Sequence, residues 1–240
     1  MNTSALLQRY FAVRQAVASA AIECGRSPDS VRLLAVSKYH PVETMLALCA
    51  QGQTIFGENY LQEAQTKAKV LIENGVDAQK ALHLIGHIQS RKAAKVAGQF
   101  ALIHTLDSYK LAAALEKVLS EKGICQNVLI EVNIAKEKQK TGVAIEDAET
   151  FAKDVVDRCP HLTVCGLMCM PPASALGEAA RPYFARLRVL RDTLACALGR
   201  PLPELSMGMS SDFACAISEG ATIVRIGTNI FGARPSKLKQ

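Results

Sequence analysis

Eight short apolar segments rich in β-formers recur along the 240-residue chain, separated by stretches with helical periodicity. They are "RLLAVSK" from Arg32, "TIFGEN" from Thr54, "LHLIGH" from Leu82, "LIHTLD" from Leu102, "VLIEVNI" from Val128, "TVCGLMCM" from Thr163, "LSMGMS" from Leu205 and "TIVRIG" from Thr222. Strand and helix in alternation are the signature of βα units in a parallel sheet, and eight such units close a barrel. The intervening segments supply the outer helices. Val42, Met45, Leu46 and Cys49 fall at i, i+3, i+4 and i+7 between Pro41, suited to a helix start, and Gly52, suited to its stop. Ser108 can cap a helix whose apolar stripe is Leu111, Leu115, Val118 and Leu119 and which ends near Gly123. Ala148, Phe151, Ala152, Val155 and Val156 repeat the pattern, as do Phe184, Leu187, Leu190 and Leu194. An additional helix at the N-terminus, with Leu6, Tyr10, Val13 and Val17 on one face, would plug or flank the barrel. The competing architecture, an open doubly wound sheet, lacks support because no GxGxxG follows the first strand. The one Pro-, Gly- and Ala-rich run, "MPPASALGEAARP" from Met170, lies between a strand and a helix and reads as a loop over the barrel mouth, not a linker. The expectation is an α/β fold: a single domain over residues 1–240, with an N-terminal helix in 1–25 and a TIM-type (β/α)8 barrel over 32–234.

An apolar share of 49% is ample for one continuous core, but with no Trp and aromatics at 5% that core must be aliphatic. None of the eight cysteines forms a CxxC pair and most sit in apolar segments, which predicts buried free thiols. Arg9 and Arg14 interrupt the apolar N-terminal face, so it does not read as a signal peptide. No run approaches the ~20 apolar residues of a membrane span. A soluble protein of a reducing compartment, the cytoplasm, is expected. The formal charge of +6 is compatible with nucleic acid, a membrane surface or a small anion, and selects none of them.

In a barrel of this type chemistry gathers at the C-terminal ends of the strands. Here those ends carry Lys38, Asn59, His87, Asp107, Asn133, Ser210, Gly227 and Thr228. The loops after strands seven and eight commonly hold phosphate. "GMSSDF" from Gly208 offers hydroxyls and a helix start at Phe213, and "RIGTNIFG" from Arg225 offers glycines that let backbone N–H groups approach an anion. The alternative is that Ser210, Ser211 and Asp212 only cap their helix and Gly227 only makes a turn. Lys38, ending an apolar strand, is either a solvated lysine or an amine whose ammonium form is disfavoured and which can form an imine with an aldehyde. A lysine opposite a phosphate cradle calls for an aldehyde bearing a phosphate; pyridoxal 5'-phosphate is such a molecule.

"AVSKYHP", "FGENYLQEAQTK", "HLIGHIQSRK", "VNIAKEKQKTGV", "GLMCMPP", "LSMGMSSDFACAI" and "GATIVRIGTNIFG" resemble, in order and spacing, the pyridoxal-phosphate homeostasis proteins, whose fold is like the N-terminal barrel of alanine racemase. Leu82 and Arg91 depart from the family pattern, where Trp and Asn are usual. The resemblance implies that Lys38 forms the Schiff base, that Ser210, Gly227 and Thr228 bind the phosphate, and that Asn59 lies near the cofactor. It also implies that Arg225 faces the pyridine nitrogen, where a cation discourages ring protonation and weakens the cofactor as an electron sink. Met207 and Met209 would pack around the ring.

Racemisation needs an acid/base group on each face of the substrate carbon, and alanine racemase draws the second, a tyrosine, from a separate β domain of the partner subunit. This chain ends eight residues after "NIFG", and Val42 occupies the position where racemases of this kind carry a phosphate-binding tyrosine. The expectation is therefore a monomeric, non-catalytic carrier of pyridoxal phosphate that supplies the cofactor to dependent apo-enzymes. The alternatives are an amino-acid racemase or decarboxylase using the same cofactor, and a lysine aldolase acting on phosphosugars. "RKAAK", "KEKQK" and "RPSKLKQ" lack interleaved aromatics, so no nucleic-acid partner is expected. His83, His87 and His104 read as barrel histidines, not metal ligands, and Cys165 and Cys169 as two thiols on one side of strand six. Lys140 and its basic neighbours form a candidate second anion site on the rim.

Overall fold

A computed structural model describes residues 3–137 and 139–233. Lys138 of "KEKQK", the tail "RPSKLKQ" and thus Arg234, the expected end of the barrel, lie outside the described residues. Eight parallel strands follow one another around a closed barrel: β1 (Arg32–Val36), β2 (Phe56–Glu58), β3 (Leu82–Leu84), β4 (Leu102–Leu106), β5 (Gln126–Val132), β6 (Leu162–Cys169), β7 (Glu204–Ser206) and β8 (Ile223–Ile226). Closure is made by β8 on β1, with Arg32 opposite Ile223 and Ala35 opposite Ile226. The helices are α1 (Thr3–Glu23), α2 (Val42–Cys49), α3 (Leu61–Glu73), α4 (Ala78–Ala81), α5 (Ala93–Val96), α6 (Tyr109–Lys122), α7 (Ala148–Arg158), α8 (Arg181–Leu198), α9 (Phe213–Ser218) and α10 (Thr228–Phe231). The fold class expected from the segment pattern is the one observed.

The period of two along each strand divides the apolar side chains into two layers. Leu34, Leu102, Leu129, Met168 and Ile223 fill the barrel interior, with Ile55, Ile85 and Cys165 against them. A larger layer lies between the strands and the helices. The anticipated stripes are there: Leu111, Leu115 and Leu119 of α6 are fully buried, as are Phe184, Leu187 and Leu194 of α8. Ser108 caps α6 by accepting from the Leu111 N–H at 3.4 Å, and Gly123 ends it in the left-handed conformation. α1 buries Leu6, Tyr10, Val13 and Val17 against α2, α9 and α10, so it flanks the barrel from outside and does not plug it.

β6 corrects one expectation. Val128 pairs with Val164 but Leu129 pairs with Gly166, so Cys165 is an extra residue in a bulge. The bulge shifts the alternation: Cys165 and Met168 face the interior while Cys169 packs in the outer layer. The two thiols therefore do not share a side. Gly166 permits the bulge, because a Cβ there would lie 1.9 Å from the Glu204 carbonyl oxygen. Free thiols were expected and all eight are free, but only Cys159, Cys169 and Cys215 are buried, and Cys24, Cys125 and Cys196 are exposed. Among the described residues no helix is long and apolar enough to cross a membrane, and no cluster of His, Cys, Asp and Glu is arranged to hold a metal.

Candidate functional site

Ser37 and Lys38 follow β1 directly, and alternation sends their side chains opposite ways. Ser37 is fully buried on the outer side, where its hydroxyl donates to Glu58 Oε1 at 2.6 Å. Lys38 faces the mouth of the barrel and lines its cavity. The turn that follows is held hard. Tyr39 has φ of 68°, an uncommon conformation for a non-glycine residue; its N–H donates to Glu63 Oε1 at 2.6 Å and its hydroxyl hydrogen-bonds that of Tyr60. Behind the turn the Lys67 ammonium spends its three donors on Ser37 O, Glu58 Oε1 and Glu63 Oε1, each at 2.7 Å. Burial pushes the Glu58 carboxyl above its ordinary pKa, and the Lys67 charge opposes that shift.

The cavity at the mouth encloses about 310 Å³. Lys38 after β1 and Asn59 after β2 line it with Ser210 and Ser211 after β7 and Gly227 and Thr228 after β8, and Arg225 and Met168 line it from β8 and β6. The exposed Met170 and Met209 form the rim. The Asn59 Oδ1 is buried without a hydrogen-bond partner among the described residues. In the loop after β7, Asp212 accepts from Met209 N at 2.6 Å and from Ser211 Oγ at 3.3 Å; it sits at the N-cap of α9 but makes no side-chain bond into that helix. Asp212 thus shapes the turn, and Ser210 is left at the cavity wall. After β8 the Gly227 carbonyl accepts from Ile230 and Phe231, while Thr228 and Asn229 begin α10, whose first N–H groups have no intrahelical carbonyl to reach. A Cβ on Gly227 would lie 3.2 Å from Val36 O, so the glycine lets the ends of β8 and β1 approach closely.

Arg225 is 95% buried (5% exposed) and bonded by three of its N–H groups: Nη1 to Ser206 O at 2.7 Å and to Ser206 Oγ at 2.8 Å, and Nη2 to Cys169 O at 2.9 Å. No carboxylate among the described residues forms a salt bridge with it. Burial lowers its pKa from an ordinary value so high that the guanidinium stays charged.

All six residues singled out by sequence, Lys38, Asn59, Ser210, Arg225, Gly227 and Thr228, line this one cavity. Other strand-end residues do not. His87 lies beyond the end of β3 and pairs with Asp107 at 3.0 Å, and Asn133 braces its own loop through Glu137 N and O. Met207 is buried in the outer layer, away from the cavity; Met209 alone of that pair reaches it. Lys140 is bonded to Glu137 Oε1 at 2.6 Å and Pro171 O at 3.0 Å, so its charge is already partnered where an anion site was considered. Sequence reasoning missed His40, Met168 and Met170 as cavity residues. His40 stacks on Phe231, centroids 5.0 Å apart, a contact between the turn after β1 and α10 that no local pattern announces.

Residues 16–235 match the family described as alanine racemase, N-terminal domain. The chain is 43% identical over 213 residues to the pyridoxal phosphate homeostasis protein of Vibrio alginolyticus, covering 88% of this chain and 90% of that one. It is 40% identical to the protein of that name from Aquifex aeolicus, over 98% and 99% of the two chains. Among solved structures, PipY of Synechococcus elongatus PCC7942 with PLP bound superposes with a TM-score of 0.77 at 34% identity, over 90% of this chain and all of that one.

Proposed function

The chain belongs to the alanine racemase N-terminal-domain family and, within it, to the pyridoxal phosphate homeostasis proteins, and from that premise we propose that it holds pyridoxal 5'-phosphate as a Schiff base on Lys38 without catalysing a reaction. The observation that carries the reading is that Lys38 lines one cavity together with the hydroxyls and backbone donors of 210–211 and 227–228. The residues fit the group: the hydroxyls of Ser210, Ser211 and Thr228 line the cavity as donors for a phosphate, and the orphaned Asn59 Oδ1 needs a donor from within the cavity. The cavity volume also suits a molecule of this size. When bound, pyridoxal phosphate supplies an aldehyde for the lysine and an electron-accepting ring.

The protein's own residues then divide the work. Lys38 supplies the amine; the turn locked by Lys67 and Glu63 fixes its direction; Ser210, Gly227 and Thr228 take the anion; Asn59 orients the ligand's polar edge; Met168 and Ile85 exclude water from below. Arg225 presents a donor to the ring nitrogen and so disfavours its protonation. That arrangement binds the cofactor while weakening it as an electron sink, which disfavours a decarboxylase, and the name of the relatives favours a carrier over a racemase. Among the described residues lining the cavity, the proton-transfer groups are Lys38 and His40. On this reading the protein works as a cytoplasmic monomer that stores pyridoxal phosphate and gives it up to apo-enzymes.

Incubation of the loaded protein with a panel of L- and D-amino acids tests the non-catalytic part. Unchanged enantiomer ratios and no released carbon dioxide are expected. Turnover that disappears in Lys38→Ala would establish the enzyme reading instead.

A further inference from the structure

We propose that Ser206, His104 and His83 form a directed hydrogen-bond chain through the barrel interior that positions Arg225 toward the ring nitrogen of the bound ligand. This rests on reading the cavity as a pyridoxal-phosphate site. The four side chains lie on β3, β4, β7 and β8 and meet inside the barrel. Arg225 Nη1 is 2.8 Å from Ser206 Oγ, Ser206 Oγ is 2.9 Å from His104 Nδ1, and His104 Nε2 is 2.9 Å from His83 Nδ1.

The direction of every bond follows from its first member. A guanidinium can only donate. Ser206 Oγ accepts from it, and because His104 Nδ1 is the one acceptor seen for the buried serine hydrogen among the described residues, that hydrogen is directed to Nδ1, which is then unprotonated. His104 then carries its proton on Nε2 and gives it to His83 Nδ1, which leaves the His83 proton on Nε2 as well. Both rings are neutral in this arrangement. Burial enforces the same state, pulling His83 down to about 3 and His104 well below its ordinary value, with the charge of Arg32 acting in the same sense on both and that of Arg225 on His104. The chain therefore carries one formal charge, that of Arg225, on which the Cys169 thiol and the carboxyls of Asp212 and Glu131 act only through space.

This explains a costly feature of the core. A buried cation is usually paired with a carboxylate, which would cancel its effect on a ligand. Here three of the five guanidinium hydrogens go to neutral acceptors, so the side chain is immobilised without being neutralised, and the remaining donors are available to the cavity. Ser206 and His104 are positioning residues: they act on the ligand only through Arg225.

The test compares the affinities of pyridoxal phosphate and its 1-deaza analogue, in which CH replaces the ring nitrogen. The parent is expected to prefer the natural compound. Ser206→Ala and His104→Leu should cut that preference about tenfold, the scale of a charge-assisted hydrogen bond, whereas His104→Asn, whose amide oxygen can accept from Ser206 as Nδ1 does, should keep most of it. An unchanged preference in both Ser206→Ala and His104→Leu overturns the proposal. Imidazole nitrogen-15 shifts of the ligand-free parent provide a readout independent of folding of the variants: unprotonated Nδ1 on both His104 and His83 near neutral pH supports the chain, and a proton on either Nδ1 overturns it. Should the parent bind neither compound, the cofactor reading fails, and the nitrogen shifts still decide whether the chain exists.

Discussion

Replacing Lys67 by methionine removes the ammonium behind the Lys38 turn. Its ammonium is buried, as is Glu58, and Glu58 Oε1 would keep only the Ser37 hydroxyl. Glu63 is less affected because its side chain is 24% exposed and can turn to water. Breaking a buried ion pair by removing one partner costs about 3–5 kcal/mol. With a urea m-value of about 3 kcal/mol/M for a chain of this size, the unfolding midpoint should fall by roughly 1–2 M. The pH dependence identifies the cause. Burial already raises the Glu58 pKa in the folded protein, and loss of Lys67 removes its main opponent, so the folded value rises further above the unfolded one. The native state then holds the extra proton between those two values. Stability declines as pH rises through that window and is recovered on acidification, by about 1.4 kcal/mol per unit of separation. Adding Glu58→Gln to Lys67→Met should restore much of the stability and abolish the pH dependence. An unchanged midpoint in Lys67→Met, or a double variant as unstable and as pH-sensitive as the single one, would refute the reasoning.

Gly166→Ala should lower the thermal midpoint by the equivalent of more than about 2 kcal/mol, since its Cβ would strike the Glu204 carbonyl of the neighbouring strand; scanning calorimetry reads the change directly. Ser210→Ala and Gly227→Ala should each weaken pyridoxal phosphate binding about three- to tenfold in fluorescence titrations, yet leave the affinity for pyridoxal, which lacks the phosphate, where it was. Ser108→Ala should cost about 1 kcal/mol in chemical denaturation through loss of the α6 cap, with no effect on binding.

The barrel was legible because its determinants are local. Period-two apolar segments, 3.6-residue stripes and the Ser108 and Gly123 punctuation of α6 each announce themselves within a short window. The cavity residues were legible for a related reason: barrel topology sends strand ends to one mouth, so Lys38, Asn59, Ser210, Gly227 and Thr228 could be grouped without knowing a single contact, whereas Arg225, inside the barrel, came only from the family resemblance. Features set by pairing between strands were not. The bulge at Cys165 depends on how β6 registers against β5, which is why a count of two along the strand misplaced Cys169. Met207 was misplaced likewise, because β7 ends at Ser206 and the chain has left the strand before Met209 reaches the rim. The interior chain from Arg225 to His83 joins residues up to 142 positions apart, since β3 and β8 meet only across the closed barrel.

The central claim is a covalent bond between one amine and one aldehyde, and reduction tests it most directly. The purified protein, loaded with pyridoxal 5'-phosphate and treated with borohydride, should carry a single pyridoxyl-phosphate group on the peptide containing Lys38, and the Lys38→Ala protein should carry none there. Modification at other lysines with Lys38 unlabelled, or a parent protein that remains colourless at saturating cofactor, would contradict the account.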